Sequence, residues 1–195
     1  MTSIKSALCG LLLAFQTSAC FATESDGTWR DPQTGLLWMR CFAGQVWSGS
    51  TCSGALMTMT WSNAMKYPEA FNAKGFAGKN DWRLPTIEEL VTIRRCSEGW
   101  RKAAKATHPG QPAALLKVTL PNGRQVPEVC ADGSQKPALD TAVFPGMEKN
   151  TVSWSSSSHG KADQNAWLVL HDYGGATTFL KEGATLGLLL VRSGK

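Results

Sequence analysis

Asn80-Asp81-Trp82-Arg83-Leu84-Pro85-Thr86-Ile87-Glu88-Glu89-Leu90 sets an aromatic anchor, an arginine and a helix start side by side. Thr86 followed three positions later by Glu89 predicts a capping box, in which hydroxyl and carboxylate each satisfy an otherwise orphan backbone N–H. Pro85 discourages any helix from extending backward, so a helix is expected from near Ile87. Leu84, Ile87, Leu90 and Val91 set its apolar face, with Arg94 at its far end. Asp81, Trp82 and Arg83 lie on the approach as framework residues. Asp81 is expected to cap or pair locally with Arg83, and Arg83 to reach a carboxylate or carbonyls.

Upstream, Lys5 precedes an apolar run from Ala7 to Phe15, and small residues surround Cys20 and Ala22. This pattern predicts a signal peptide over residues 1–22, with cleavage after Ala22. Gln16, Thr17 and Ser18 interrupt the run before the roughly 20 apolar residues that a membrane-spanning helix needs. Lipidation at Cys20 is disfavoured, because Thr17 stands where a large aliphatic residue is wanted. Residues 23–195 are expected to form one domain with a periplasmic or secreted location and no transmembrane span. Without Lys5 the chain carries 19 Lys and Arg against 15 acidic side chains, a net +4 that suits anionic partners without demanding one.

Four cysteines remain beyond the predicted leader: Cys41, Cys52, Cys96 and Cys130. An even number in an exported chain favours two disulfides, and three pairings are open. The expected pairs are Cys41 with Cys52 and Cys96 with Cys130, since each brackets a polar, Gly/Ser/Pro-rich stretch. A zinc site is disfavoured by the lack of Cys-x-x-Cys spacing or a nearby His pair.

The rest alternates short strands with two helices, an α+β pattern without internal repeats. Thr28–Asp31 and Leu36–Arg40 flank Pro32-Gln33-Thr34-Gly35 and predict a hairpin. A first helix is expected from Trp61 to about Phe71, N-capped by Thr60, with Ala64, Met65 and Phe71 inward and Pro68 kinking or shortening it. An insertion over about 97–136 reads mostly as loop, with one short strand between Leu115 and Leu120. Ser153–Ser156, Ala166–Leu170, Thr177–Leu180 and Leu186–Arg192 read as an antiparallel meander, with the turn Asp172-Tyr173-Gly174-Gly175 between the second and third.

Several blocks carry a family resemblance: Thr34-Gly35-Leu36-Leu37-Trp38, Thr60-Trp61, Gly75-Phe76-Ala77-Gly78, and the opening block from Asp81 to Leu90. They continue through Pro137-Ala138-Leu139-Asp140-Thr141, Phe144-Pro145, Trp154-Ser155-Ser156-Ser157, Ala166-Trp167 and Val191-Arg192. In this order they resemble the Lcl C-terminal domain family. The resemblance implies a C-type-lectin-like fold of the kind shared with formylglycine-generating enzymes: two helices packed on a twisted antiparallel sheet, with long loops and neighbouring chain ends. It also implies attachment, since such domains cap collagen-like bacterial adhesins that bind glycosaminoglycans. This chain has no collagen repeat, its insertion is longer than the usual connection, and Leu189, Leu190 and Val191 stand where the family often has a cysteine.

Binding is expected before catalysis; an enzyme related to formylglycine-generating enzymes is the remoter alternative, since no two cysteines stand together in a redox block. Ser155–Ser158, His159, His171 and Asp172 supply triad residue types, but a Ser-rich edge after a strand reads as a solvated turn, and no nucleophile-elbow spacing exists. His108, His159 and His171 lack metal-ligand spacing. Calcium stays open at Asn80 with Asp81 and at Asp163 to Asn165, although the Glu-Pro-Asn sugar-binding signature is absent. Trp38, Trp61, Trp82, Trp154 and Trp167 are assigned to the core, while Trp29, Trp47 and Trp100 are candidates for stacking on sugar rings. Arg94, Arg95, Trp100, Arg101, Lys102 and Lys105 form the candidate binding run for an anionic glycan or envelope polymer, with bidentate Arg contacts beside an apolar Trp face. A protein partner on the insertion is the alternative, and nucleic acid is not expected of an exported chain.

Overall fold

The computed structural model describes residues 26–103, 114–159 and 164–194. The predicted leader and Lys105 lie outside them, as do His108 and Asp163. The described chain is α+β, with two short helices and several small antiparallel sheets.

Strands β1 (Thr28–Arg30) and β2 (Leu37–Met39) form the predicted hairpin, with Trp29 opposite Trp38. Asp31 fixes the turn: its carboxylate accepts from Gln33 N–H and Thr34 Oγ1, and its own N–H donates to Leu36 O. A second hairpin, β3 (Val46–Trp47) with β4 (Cys52–Ser53), was not foreseen. The Cys41–Cys52 disulfide anchors its second strand.

Helix α1 runs Trp61–Lys74, three residues past Phe71, so Pro68 does not shorten it. Removing one intrahelical bond costs about 3 kcal/mol. Tertiary contacts on both sides of the proline offset that loss. Ala64 is buried before it, and beyond it Asn72 grips the backbone of Trp82 through two hydrogen bonds of 2.8 and 3.0 Å. Met65, expected inward, is instead exposed, because it stands about 100° around the helix from Ala64. Thr60 makes no side-chain cap bond. Glu182, from the loop after β9, instead accepts from Ser62 in the first turn, and that bond holds its carboxyl below the ordinary value.

The capping box forms as predicted at α2 (Ile87–Leu90): Glu89 N–H donates to Thr86 Oγ1, and Thr86 N–H donates to Glu89 Oε2 at 2.9 Å. A 3-10 turn, Val91–Ile93, continues it. Within the insertion, β5 (Lys117–Thr119) pairs with β6 (Gln125–Pro127) across a Pro-Asn-Gly turn, so the expected single strand has a partner. Pro127 sits at the end of β6, where a missing N–H is tolerated.

Strands β7 (Val152–Ser158), β8 (Asn165–Leu170) and β9 (Gly175–Leu180) form the meander, joined by the predicted Asp172–Gly175 turn between β8 and β9. The Ser-rich run is therefore strand and not a solvated turn. Ser155 Oγ donates to Trp167 O, Ser156 bonds Pro85 O, and Ser157 Oγ accepts from Ile87 N–H at the start of α2.

The fourth predicted strand leaves the meander. Leu186–Val191 stays extended but changes partner along its length, bonding Met59, Val152, Ala43, Met39 and Arg83 in turn. Only β10 (Val191–Arg192) joins a ladder, beside β2. Period-2 alternation sends Leu188 and Leu190 into one core, with Trp82 and Trp154, and Leu189 and Val191 into the other, with Trp38 and Phe144. Both faces of this segment are covered, which explains its continuous apolar sequence.

Candidate functional site

The 3-10 turn delivers its chain to an extended pair of residues, Arg94 and Arg95, which lie alongside Ala138 and Leu139 through an Arg95 N–H to Ala138 O bond of 2.8 Å. Alternation turns Arg94 inward and Arg95 outward. Together with Trp100 they line a cavity of about 540 Å³, closed on its other sides by Cys96, Gln135 and Asp140. A smaller depression of about 160 Å³ continues across the same two arginines to Trp29 and Asp31. The two share Arg94, Arg95 and Asp140, so they form one groove with a tryptophan toward each end. The larger volume lies within the range of small-molecule sites.

Arg94 is a structural strut rather than a free cation. It is buried, its Nε donates to Val91 O, and its Nη1 donates to Pro127 O and Gly174 O at 3.0 and 2.8 Å. One guanidinium thus ties the 3-10 turn, the insertion and the β8–β9 turn together. Its Cζ lies 4.7 Å from the centre of the Trp100 ring and covers one face of it. Desolvation, followed by the charge of Arg124, pushes its pKa down to about 10, so it stays charged at neutral pH.

Arg95 is the opposite case. Its side chain is 62% exposed and its Nε stands 4.0 Å from Asp140 Oδ2, at the outer limit of an ion pair. Asp140 is held by its own turn, since Ala142 N–H donates to Oδ1 at 3.0 Å and Phe144 N–H donates to its carbonyl at 2.9 Å. A carboxylate fixed by its own turn therefore faces an exposed cation across the groove.

The predicted Cys96–Cys130 disulfide is formed and sits behind this wall, as Cys41–Cys52 is formed elsewhere. Gly174 presses against it. A Cβ there would come within 2.7 Å of Cys130 Sγ, and the residue's φ of +58° already favours glycine. Tyr173 O accepts from Cys130 N–H, so the β8–β9 turn is tied to the insertion beside the disulfide.

The rest of the basic run falls outside the groove. Arg101 pairs with Asp132 at the surface, and Lys102 is exposed beside Leu115, where only its backbone position pairs. Among the tryptophan candidates, Trp29 and Trp100 border the groove, whereas Trp47 is covered by Arg40 at 4.1 Å and lies elsewhere. Sequence reasoning did not select Asp140 or Gln135. Asp140 was visible only as part of the Pro137–Thr141 block, and the fold alone sets it opposite Arg95.

The framework residues settle differently than expected in one respect. Asp81 pairs with Arg192, 111 positions away, through bonds of 2.6 and 3.1 Å, not with Arg83. Arg83 makes a two-pronged pair with Glu89, both bonds 2.7 Å. The local pairing fails because β10 bonds the backbone of Arg83 and thereby brings Arg192 to Asp81. The hydrogen bond from Arg192 lowers the Asp81 carboxyl, so both of its oxygens are engaged by a cation. Trp82 and Trp154 are fully buried and Trp167 nearly so, while Trp61 is half-buried beneath Lys181.

A second arrangement of reactive residue types is closed. Ser153 Oγ lies 2.8 Å from His171 Nε2 with both residues buried, and Phe42 packs edge-on against the imidazole. Burial pushes the His171 pKa down to about 3, so the ring is neutral. Among the described residues, no group of three or more His, Cys, Asp or Glu side chains is placed to hold a metal ion, and no helix is long and apolar enough to cross a membrane.

The family model of the Lcl C-terminal domain matches residues 27–192, which spans every element described above. No curated protein and no solved structure matches the chain.

Proposed function

Because the chain belongs to the Lcl C-terminal domain family, we propose that it is an exported binding domain with a C-type-lectin-like arrangement, and that it recognises an anionic glycan or envelope polymer in the Arg95–Trp100 groove. The observation that carries this reading is the juxtaposition, on one cavity of about 540 Å³, of an exposed guanidinium, an aromatic ring and several hydroxyl and amide groups. Arginine meets carboxylate or sulfate with a planar fork, and an indole offers an apolar surface to a sugar ring. Two disulfides support export, since such bonds persist in oxidising compartments. The lectin-like reading is supported by β1 and β10 flanking β2, which brings the first and last described strands into one sheet, while the two helices pack against the meander.

Binding is preferred to catalysis because the Ser153–His171 pair lines no cavity described above and faces the core. Retention on immobilised heparin at rising salt tests the reading. Wild type is expected to be retained, with R95A and W100A eluting at lower salt and R101A close to wild type. Equal elution of wild type and R95A would remove the groove from the proposal. A protein partner is the second reading, favoured by exposed Leu115 and Leu116 on the insertion.

A further inference from the structure

Resting on that reading, we infer that Asp140 sets the specificity of the groove: it admits an anion that carries its own hydrogen-bond donor beside the charge, as an acidic sugar does, and rejects one that brings only acceptors, as a polyphosphate does. The groove is not a simple anion trap. Arg94 and Arg95 are matched within it by Asp31 and Asp140. Of these four, Arg94 is spent on three carbonyls, and both oxygens of Asp31 are spent on its turn. That leaves Arg95 and Asp140 Oδ2 as the charged pair facing the space.

Their separation of 4.0 Å decides the consequence. A pair that long and that exposed contributes little to stability and is easily displaced from the arginine side. An incoming carboxylate or sulfate makes shorter, forked contacts with Arg95. Asp140 cannot retreat, because Ala142 and Phe144 hold its Oδ1 and its carbonyl. Any ligand anion seated on Arg95 therefore lies beside a fixed carboxylate. Like-charge juxtaposition is costly unless a hydroxyl or ammonium of the ligand donates to Oδ2. A uronic acid meets both demands, with its carboxylate toward Arg95 and a ring hydroxyl toward Asp140. Tripolyphosphate meets only the first.

The decisive comparison titrates two probes, a tetragalacturonate and tripolyphosphate, into wild type, D140N and R95A at fixed ionic strength and at an alkaline pH where every tripolyphosphate oxygen is ionised and the probe carries no donor. D140N keeps the oxygen that accepts from Ala142 and replaces the groove-facing Oδ2 by a neutral amide that donates instead of accepting. Wild type is expected to prefer the uronate. D140N should gain about tenfold for tripolyphosphate, the equivalent of one removed repulsion, while its uronate affinity stays level or falls. R95A should weaken both. D140S, which removes the carboxylate by a different route, should reproduce the loss of preference if D140N proves poorly folded. An unchanged ratio between the two probes in D140N and D140S overturns the role given to Asp140 and leaves the groove reading intact. Failure of wild type to bind either probe overturns both.

Discussion

The blocks Asp81–Leu90 and Arg94–Lys102 are neighbours in sequence and alike in composition, each mixing arginine with tryptophan, yet the fold uses them in opposite ways. In the first block, Trp82 is fully buried, Arg83 is met by both oxygens of Glu89, and Asp81 by Arg192. In the second, Trp100 is only half-buried and Arg95 faces its carboxylate at 4.0 Å across open space. Arg94 belongs by chemistry to the first kind, although it stands in the second. The difference teaches that an arginine's role is read from how fully its donors are met, not from the charge density of its segment.

The comparison breaks most visibly at the aromatic rings. W82A is expected to lower unfolding free energy by about 3 to 5 kcal/mol, as large-to-small changes at fully buried aromatic positions do, while W100A costs far less. Chemical denaturation of both separates them, and similar midpoints would contradict the division. Next in size is the insertion. Replacing Cys96 and Cys130 by alanine releases a loop whose closure is worth about 4 kcal/mol in the chain-entropy model, against about 3 for Cys41–Cys52. Loss of the first bond should also weaken heparin retention, because Cys96 lines the groove, whereas loss of the second should leave it intact.

The core histidine gives a third contrast, in pH. His171 has a folded pKa of about 3 against an ordinary 6.5, so the unfolded chain binds its proton first as pH falls. Stability attributable to this residue is full above pH 6.5 and is lost as the pH drops below it. The slope approaches about 1.4 kcal/mol per unit. Between pH 6.5 and 4.5 this effect stands clear of Glu89, whose own contribution declines only below its unperturbed value of 4.5. Urea midpoints over that window should fall for wild type and stay flat for H171N; a flat wild-type profile would contradict a neutral, buried ring.

Smaller still is the capping pair. Burial alone would raise the Glu89 carboxyl, but its bonds to Arg83 and to Thr86 N–H together hold it below the ordinary value. E89Q keeps one partner of each bond and should cost about 1 to 2 kcal/mol in thermal unfolding. R95A should leave stability within about 0.5 kcal/mol, as surface changes do, while it abolishes most of the salt-resistant heparin retention. That pairing of a small stability effect with a large binding effect is the sharpest form of the contrast between the two blocks.

Much of this was legible before any coordinates. The capping box, the first hairpin, both disulfides and the meander follow from turn residues, spacing and period-2 patterns, which act over a few positions. The groove was legible in part. Arg94, Arg95 and Trp100 were selected as a charged run beside an aromatic ring, but sequence gave no means to see that Arg94 is spent on three carbonyls or that Arg101 turns away to Asp132. Met65 and Pro68 were misjudged because a helix's inward face and its tolerance of proline depend on what packs against it.

By itself, the chain's sequence determined where α2 starts, where the first hairpin and the β8–β9 connection turn, which cysteines bracket the polar loops, and which blocks mark the family. Only the tertiary structure decided that Arg192 answers Asp81, that Leu186–Val191 threads between two cores, and that Asp140 stands opposite Arg95. The physical reason is range. Caps, turns and alternation are settled by neighbours along the chain, whereas the partner of a charge is whichever group folding brings within a few ångströms, however far away it was written.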